Sequence, residues 1–342
     1  MEIDFLEYKV RNGDTLKSVA SRLGMTAEEL RIFHNAHCQR MNKIWFEDLH
    51  DIKSIIVPTN FKTEKEKAQE KENILFPVCV PDSFYAKKYS VSETFDSPFE
   101  TPVHIDYSID LSFREDRNSG YRHMSYQAGN FKTNGKTPED KVSSLSISCM
   151  KSIMPIGFLL STSGQISGLE DHKKITEVFA EQRKELDDFF TGEVNRKYLD
   201  TFEKSISEEH FLLQQFRNTL LFQVLFPKTD WFRRKTAWTE SFHFLQNSFP
   251  VRCKLKSEHR NDSENTVVTS LKGNIEDSCS SREIMRGIRS KVLSGTNENP
   301  GEISIEYTTH KKNKNLLQAG ALLLLRHEEE LVYQHSITIT QG

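Results

Sequence analysis

The first part of the chain shows a hydrophobic pattern whose period changes from two to that of a helix. Tyr8 and Val10 alternate with polar neighbours, which is the spacing of a half-buried strand. Gly13 followed by Asp14 and Thr15 indicates a turn into a helix, because glycine tolerates a positive φ and either polar side chain can accept a backbone N–H. The apolar residues then recur at three- and four-residue steps: Leu16, Val19, Ala20 and Leu23.

A second helix and a closing strand complete this segment. Gly24 is placed to end the first helix, and Thr26 forms a capping box with Glu29 for the next one. The second helix has Leu30 and Phe33 among its apolar positions. The closing strand reads Ile55, Ile56, Val57 and Pro58. The pattern therefore predicts a small β-α-α-β module.

Residues 103–113 begin a series of strands with clean alternation. The side chains that face one way are apolar: Ile105, Tyr107, Ile109, Leu111 and Phe113. Their neighbours are polar, which is typical of a strand with one face in water. Further strands are predicted at Tyr121–Ala128, Val142–Cys149, Ile156–Thr162 and Gln165–Leu169. They follow one another too closely for crossover helices, so the sheet is predicted to be antiparallel.

Two helices interrupt the strands. Asp171–Phe190 and Ser207–Phe226 each carry an apolar stripe, and Pro227 ends the second. Strands then resume at Thr236–Gln246, Val251–Ser257, Thr266–Ile275, Glu302–His310, Leu316–Arg326 and Leu331–Thr340. This order predicts an α+β fold in which a curved antiparallel sheet wraps two helices. The pattern leaves open whether this domain encloses a pocket or a filled core.

The domain organisation follows from a charged stretch between the two patterns. Residues 62–72 are almost entirely charged or polar and have no apolar face, which indicates a solvated linker. We therefore predict a module at residues 1–61, a linker at 62–73 and an α+β domain at 74–342. In its order of elements, the large domain is similar to the half-barrel of bacterial lipoprotein carriers, a likeness that implies no function.

Composition narrows the class of partner. The net charge is -3, with 46 basic and 49 acidic side chains mixed along the chain, so nucleic acid is not an expected partner. No apolar run approaches the roughly 20 residues of a membrane helix, so we do not expect an integral membrane protein. The five cysteines are scattered, which favours reduced thiols. The N-terminus lacks a signal-peptide pattern, so a cytoplasmic location is expected, with the cell envelope as an alternative reached by a non-standard route.

The turn, cap and core residues of the first module form a recognisable set: Tyr8, Val10, Gly13, Asp14, Thr15, Leu16, Val19, Ala20, Gly24, Thr26, Leu30 and Asn35. This set resembles the lysin motif, or LysM, a β-α-α-β module. The second strand departs from the family pattern, since an expected glycine is missing there. The link formed by residues 38–51 is also longer than usual.

The resemblance implies a function for the module. The family binds N-acetylglucosamine polymers such as peptidoglycan or chitin in a shallow groove between the first turn and the loop before the last strand. Carried over to this chain, the glycan-binding positions are Gly13, Asp14, Thr15 and Leu16 on one side and Ile44, Trp45 and Phe46 on the other. Trp45 would stack on a sugar face. The alternative interpretation is structural, because the turn and cap need the same residues without a sugar and Trp45 can serve as core.

No catalytic motif accompanies the module. The sequence has no His-Glu-x-x-His pair, no Gly-x-Ser-x-Gly elbow and no phosphate-binding glycine loop, so neither catalytic residues nor a metal or other cofactor is predicted. The leading hypothesis is a non-enzymatic binding protein for peptidoglycan or another N-acetylglucosamine polymer, joined to a partner- or ligand-binding domain. The alternatives are a docking component of a phage-tail-like contractile injection or secretion apparatus, with protein partners in that assembly or the cell envelope, and a cell-wall hydrolase with an unrecognised site.

Overall fold

The chain divides into two compact units, which we call unit 1 (Met1–Leu75) and unit 2 (Phe76–Gly342). The computed structural model describes residues 5–50, 52–58, 76–81, 83–98, 100–115, 121–263, 265–289 and 300–342. Each unit has a hydrophobic core of its own. The predicted linker lies outside the described residues.

Unit 1 has two helices between the strands of a two-stranded antiparallel sheet. Its elements are β1 (Phe5–Lys9), α1 (Leu16–Leu23), α2 (Ala27–His37), a short 3-10 helix (Arg40–Asn42) and β2 (Ser54–Pro58). Thr15 caps α1, Thr26 caps α2, and Gly24 ends α1 with a φ of 68°. The β-α-α-β prediction is confirmed, although β1 begins at Phe5 and ends before Val10.

Unit 2 is built on an eleven-stranded sheet with helices inserted between its strands. Its strands are β3 (Lys88–Asp96), β4 (Val103–Glu115), β5 (Arg122–Thr133), β6 (Ile156–Leu160), β7 (Ile166–Leu169), β8 (Trp238–Phe242), β9 (Val251–Asn261), β10 (Thr266–Ile275), β11 (Gly301–His310), β12 (Leu316–His327) and β13 (Glu330–Gln341). Its helices are α3 (Lys141–Ser152), α4 (His172–Phe189), α5 (Glu193–Ser207), α6 (Glu209–Arg217), α7 (Leu220–Leu225) and α8 (Ser281–Arg286), with a 3-10 helix at Thr229–Phe232.

The strand order of this sheet joins two runs of sequence neighbours. The order is β7-β6-β5-β4-β3-β13-β12-β11-β10-β9-β8, and every pairing is antiparallel. Each run is a meander, because successive strands are hydrogen-bonded neighbours. The two runs meet where β3 pairs with β13, with Tyr89 opposite Gln341 and Phe95 opposite His335.

One face of the sheet is buried under the helices. Along β12 the buried side chains are Leu316, Ala319, Ala321, Leu323 and Leu325. The short helices α7 and α8 both contact β12, and α6 contacts β7. The α+β class is therefore confirmed, while the helical layer is larger than the predicted pair. Among the described helices, none is both long and apolar enough to cross a membrane.

The predicted strand at Val142–Cys149 is wrong. These residues lie in α3, whose first turn is capped by Asp140 through a 2.9 Å bond from the Ser143 N–H. Alternating serines imitate a period of two, but Leu145 and Cys149 are four residues apart and both are buried. A spacing of four residues is also that of one face of a helix, and the Asp140 cap shows that this segment is a helix and not a strand.

The predicted single helix at Ser207–Phe226 is also wrong. The segment contains the end of α5 and two shorter helices, α6 and α7. Thr219 begins α7 by accepting the Phe222 N–H at 3.3 Å, so a helix start interrupts the apolar run. Most of α5, together with α8 and β3, was not predicted.

Candidate functional site

The first turn of unit 1 is held by the Asp14 carboxylate. Its Oδ2 accepts the Arg11 N–H at 2.8 Å and the Tyr8 hydroxyl at 3.3 Å, and its Oδ1 pairs with Arg22. The Arg11 N–H and the Arg22 guanidinium hold the pKa of Asp14 below its ordinary value. The side chain is only 7% exposed. Gly13 precedes it with a φ of +84°, a conformation that other residues rarely adopt.

The loop before β2 is anchored by two neighbouring side chains of α2. Asn35 accepts the Ile44 N–H at 2.8 Å and donates to the Ile44 carbonyl at 2.9 Å. His34 Nδ1 accepts the Ile56 N–H at 2.9 Å, and its Nε2 lies 2.8 Å from the Asn42 carbonyl. These partners require the tautomer with hydrogen on Nε2. The first part of the long link is therefore bonded to α2, and β2 itself is bonded to the same helix.

The structure brings the two sides of the predicted groove together. The Leu16 N–H donates to the Glu47 carbonyl at 3.0 Å, and Thr15 forms an antiparallel bridge with Asp48. These contacts join the first turn directly to the loop that follows Trp45. The two predicted stretches, Gly13 to Leu16 and Ile44 to Phe46, are therefore brought together in unit 1.

The predicted groove residues differ in what they expose. The Leu16 and Ile44 side chains are buried in the core of unit 1. Trp45 is 67% exposed and Phe46 is 79% exposed, so neither serves as a core residue. Trp45 and Phe46 are thus adjacent aromatic side chains exposed to solvent. They lie beside the first turn, where the Asp14 carboxylate is already hydrogen-bonded.

Unit 2 contains a cavity of about 940 Å³ against the buried face of its sheet. Its walls come from β3, β4, β5 and β13, from α3 and the α6–α7 junction, and from the segment at residues 243–248. Several aromatic rings contribute to the lining, among them Phe95, Tyr126, Phe131, Phe216, Phe222 and Phe244. The volume lies in the upper range for small-molecule sites, and the lining is of the kind such sites have.

A polar cluster of one buried and two half-buried side chains, which we call the Glu93 cluster, lies in the cavity wall. It consists of Glu93, Tyr107 and His335. The Tyr107 hydroxyl donates to Glu93 Oε1, and His335 Nε2 lies 2.8 Å from Oε2. The Glu93 and His335 side chains are 14% and 8% exposed. The His335 ring also stacks on Phe95 with centroids 4.1 Å apart, and burial raises the Tyr107 pKa well above its ordinary value.

The Glu93 cluster was missed because β3 was not predicted. The signal is present in the sequence, since Tyr89, Val91, Glu93 and Phe95 share one parity and so one face of a strand. Glu93 is the charged residue in this otherwise apolar row, which predicts a polar side chain on the inward face of the strand. On β13 the row Tyr333, His335, Ile337 and Ile339 has the same form.

Two buried cysteines of unit 2 are poor candidates for nucleophiles. Burial raises the pKa of Cys149 to about 11 and that of Cys253 to about 12, which keeps both thiols protonated and poor nucleophiles near neutral pH. Within the described ranges, no three His, Cys, Asp or Glu side chains form a cluster that could hold a metal ion.

Comparison with known families identifies part of unit 1. Residues 8–32 match the LysM domain. The resemblance drawn from the sequence is confirmed, and it supports a carbohydrate-binding role of the peptidoglycan type in general. The LysM match covers the first turn and α1 but ends before Asn35 and Trp45. Half of the predicted groove therefore lies beyond the matched residues.

Other comparisons add little to the LysM match. No curated protein matches the sequence. A structure of lipovitellin, titled for its lipid–protein interactions, is 10% identical with a TM-score of 0.36 and covers 75% of this chain and 24% of that chain. Rv2717c from M. tuberculosis is 7% identical with a TM-score of 0.24 and covers 80% of this chain and 96% of that chain. The chain thus spans about a quarter of the lipovitellin chain, and both scores are too low to assign a fold or function.

Proposed function

We propose that the chain is a non-enzymatic binding protein whose LysM module binds N-acetylglucosamine-containing glycans such as peptidoglycan. Its α+β domain, in this proposal, binds a partner or ligand. The observation that carries the glycan proposal is the exposure of Trp45 and Phe46 beside the first turn. An aromatic ring in solvent offers an apolar face to a sugar ring.

The bonding of Asp14 refines this proposal. Its carboxylate already accepts bonds from Arg11 and Tyr8 and pairs with Arg22, so its contribution to glycan binding is to shape the turn. Direct contact with sugar is assigned to the aromatic pair, Trp45 and Phe46. In this proposal, most of the binding free energy therefore comes from Trp45 and Phe46, which lie outside the residues that match the LysM domain.

Calorimetry with chitin oligomers tests the glycan proposal on the full chain. Trp45→Ala removes the larger ring and is expected to weaken binding at least about tenfold, as truncation of a central aromatic anchor does. Phe5→Ala is the matched control, since Phe5 is also an exposed aromatic residue of unit 1 but lies on β1. We expect it to leave the affinity unchanged. A flat titration of the wild-type chain with chitin oligomers and also with peptidoglycan fragments would refute glycan binding.

A docking role is the second candidate, and the exposed apolar side chains of the same loop favour it. Met41 is 95% exposed and joins Trp45 and Phe46 in that segment. Such residues are typical anchors of protein interfaces. If the module is a docking unit, the full chain should capture a stoichiometric protein partner from the native source, and Trp45→Ala should abolish this capture. Chitin oligomers should neither bind the chain nor compete with the partner. Capture that survives this substitution would count against it.

A further inference from the structure

The cavity of unit 2 combines an apolar lining with a polar cluster at one place in its wall. Burying a carboxylate is unfavourable unless it is paired, and the Glu93 carboxylate has a donor on each oxygen. Its partners come from two other strands, Tyr107 on β4 and His335 on β13. Three strands of the sheet therefore converge on one carboxylate beside an open volume.

The Glu93 cluster restricts what can bind beside it. An ionised carboxylate is an acceptor only, and each oxygen has more than one lone-pair site. A ligand group next to Glu93 must therefore donate a hydrogen bond, as a hydroxyl or an amine does. A ligand carboxylate or phosphate in this position would meet a like charge in a desolvated site, which strongly disfavours it.

The rest of the lining defines the body of the ligand. Phe131, Phe216, Phe222 and Phe244 contribute rings to the cavity, and α3 adds Ile147 and Met150. The volume of about 940 Å³ accommodates a molecule of drug or short-lipid size. Apolar surface removed from water on these walls supplies the affinity, and the Glu93 cluster supplies the orientation.

We propose that this cavity binds a small amphipathic molecule with an apolar body and a hydrogen-bond-donating head, of the alcohol or amine class, whose head meets Glu93. The inference rests on the proposed ligand-binding role of unit 2 and names the ligand class for it. It is independent of the LysM groove. Arg286, an exposed cation that also lines the cavity, offers the competing arrangement, in which an acidic head is held at that point.

Displacement of a fluorescent probe from the full chain distinguishes these arrangements. The probe is N-phenyl-1-naphthylamine, which is apolar and uncharged at neutral pH, and the competitors are decanol, decylamine and decanoate. We expect saturable probe binding and displacement by the alcohol and the amine at concentrations at least about tenfold below that of decanoate, because a bond to a charged acceptor discriminates by that factor or more.

Variants assign the preference to the cluster. Glu93→Gln keeps the side-chain shape but adds a donor and removes the charge, so the alcohol and amine preference should fall to about threefold or less. Asp110→Asn is the matched control, because Asp110 is an exposed carboxylate of β4 between the buried Ile109 and Leu111. We expect this variant to retain the wild-type preference.

Filling the cavity tests where the probe binds. Ala128→Phe adds a ring to the wall formed by β5, and Ser146→Phe does so from α3. Each variant, if folded, should weaken probe binding at least about tenfold. Two variants on different elements are used so that the test remains possible if one of them does not fold. Unchanged binding in a folded variant of each kind would place the probe elsewhere and overturn the proposal.

The remaining outcomes separate this proposal from the proposed function. Failure of the folded wild-type chain to bind the probe would overturn both the apolar-ligand role of unit 2 and the ligand class. Probe binding with a preference for decanoate that Arg286→Gln abolishes would overturn the ligand class alone. Probe binding with no preference among the three competitors would do the same. The chitin titration is unaffected in every case.

Discussion

Asp14 lies within the predicted groove, yet its oxygens are bonded to donors of its own module. The Arg11 N–H, the Tyr8 hydroxyl and the Arg22 guanidinium all reach it. Because these bonds favour the ionised form, the pKa of the carboxyl is lower in the folded protein than in the unfolded chain. The stability that Asp14 contributes is therefore present above its ordinary pKa of 3.8 and is lost as the pH falls through the depressed folded value.

The substitution Asp14→Asn tests this structural role. The amide cannot form the ion pair with Arg22 and offers one acceptor oxygen in place of two. We expect faster amide hydrogen exchange at pH 7 in peptides covering α1, measured by mass spectrometry on the full chain. The difference from wild type should shrink at pH values well below 3.8, where the Asp14 carboxyl of the wild type is protonated in the folded and the unfolded chain.

The control for Asp14→Asn is a carboxylate that forms only a surface ion pair. Glu28 pairs with Arg31 on α2, and its side chain is 60% exposed. Such pairs contribute little to stability. Glu28→Gln should leave exchange in α1 at the wild-type rate. Equal effects of the two substitutions would contradict the role assigned to Asp14.

Residues whose role depends on near neighbours could be predicted from the sequence. Thr26, Gly13 and Gly24 act on a turn or cap within a few positions of themselves, and each was placed correctly. The cap of α1 was left open between Asp14 and Thr15, and the structure assigns it to Thr15. The role of Asn35 could not be foreseen, because its partner Ile44 lies nine positions away across a loop. Spacing carries no information about bonds that only the folded loop creates.

At the scale of elements, hydrophobic periodicity identified strands well where the spacing of apolar residues fits a strand but not a helix. The alternation of β4 and the C-terminal strands from β9 to β13 appears in the structure close to the predicted bounds. It failed in α3, where serines spaced the apolar residues in a way that suits both a strand and a helix. It also failed in β3, because the inward position of Glu93 breaks the apolar row.

The cap between α6 and α7 gives a prediction at this scale. Thr219→Ala removes the acceptor for the Phe222 N–H while leaving the backbone path unchanged. Loss of a threonine cap is expected to lower the free energy of unfolding by about 1 kcal/mol. Urea unfolding of the full chain, followed by circular dichroism, measures the change.

The matched control for the cap is a threonine within a helix. Thr201 on α5 is exposed, and its hydroxyl donates to the Lys197 carbonyl rather than capping a helix. We expect Thr201→Ala to change the free energy of unfolding by less than about 0.5 kcal/mol. If Thr219→Ala were as mild as this control, α7 would not depend on its cap.

At the scale of the whole molecule, buried acids with raised pKa values predict sensitivity to alkali. Burial raises the pKa of Cys149 and Cys279 to about 11 and that of Cys253, Tyr89 and Tyr333 to about 12. In the unfolded chain these groups ionise near 9 to 10. The folded state therefore holds more protons above pH 9, and its stability falls as the pH rises.

Urea unfolding at a series of pH values from 7 to 11 tests this expectation. Between its unfolded and folded pKa values, each such group lowers the free energy of unfolding by about 1.4 kcal/mol per pH unit. Cys253→Ala should make the alkaline decline shallower, whereas substitution of the exposed Cys79 by Ala should leave it unchanged. A urea midpoint that is constant up to pH 11 would contradict the prediction.

The pairing of β3 with β13 has a consequence for how this protein emerges from the ribosome. β3 is translated before the other strands of its sheet, and β13 is translated after all of them. β3 therefore cannot pair with β13 until the rest of unit 2 has been made. Throughout that interval its β13-facing edge is unpaired, and the hydrophobic face is incomplete. Long-range pairing of this kind folds slowly and exposes aggregation-prone edges. The nascent chain is therefore most vulnerable during the synthesis of unit 2, after β3 has been made and before β13 has paired with it.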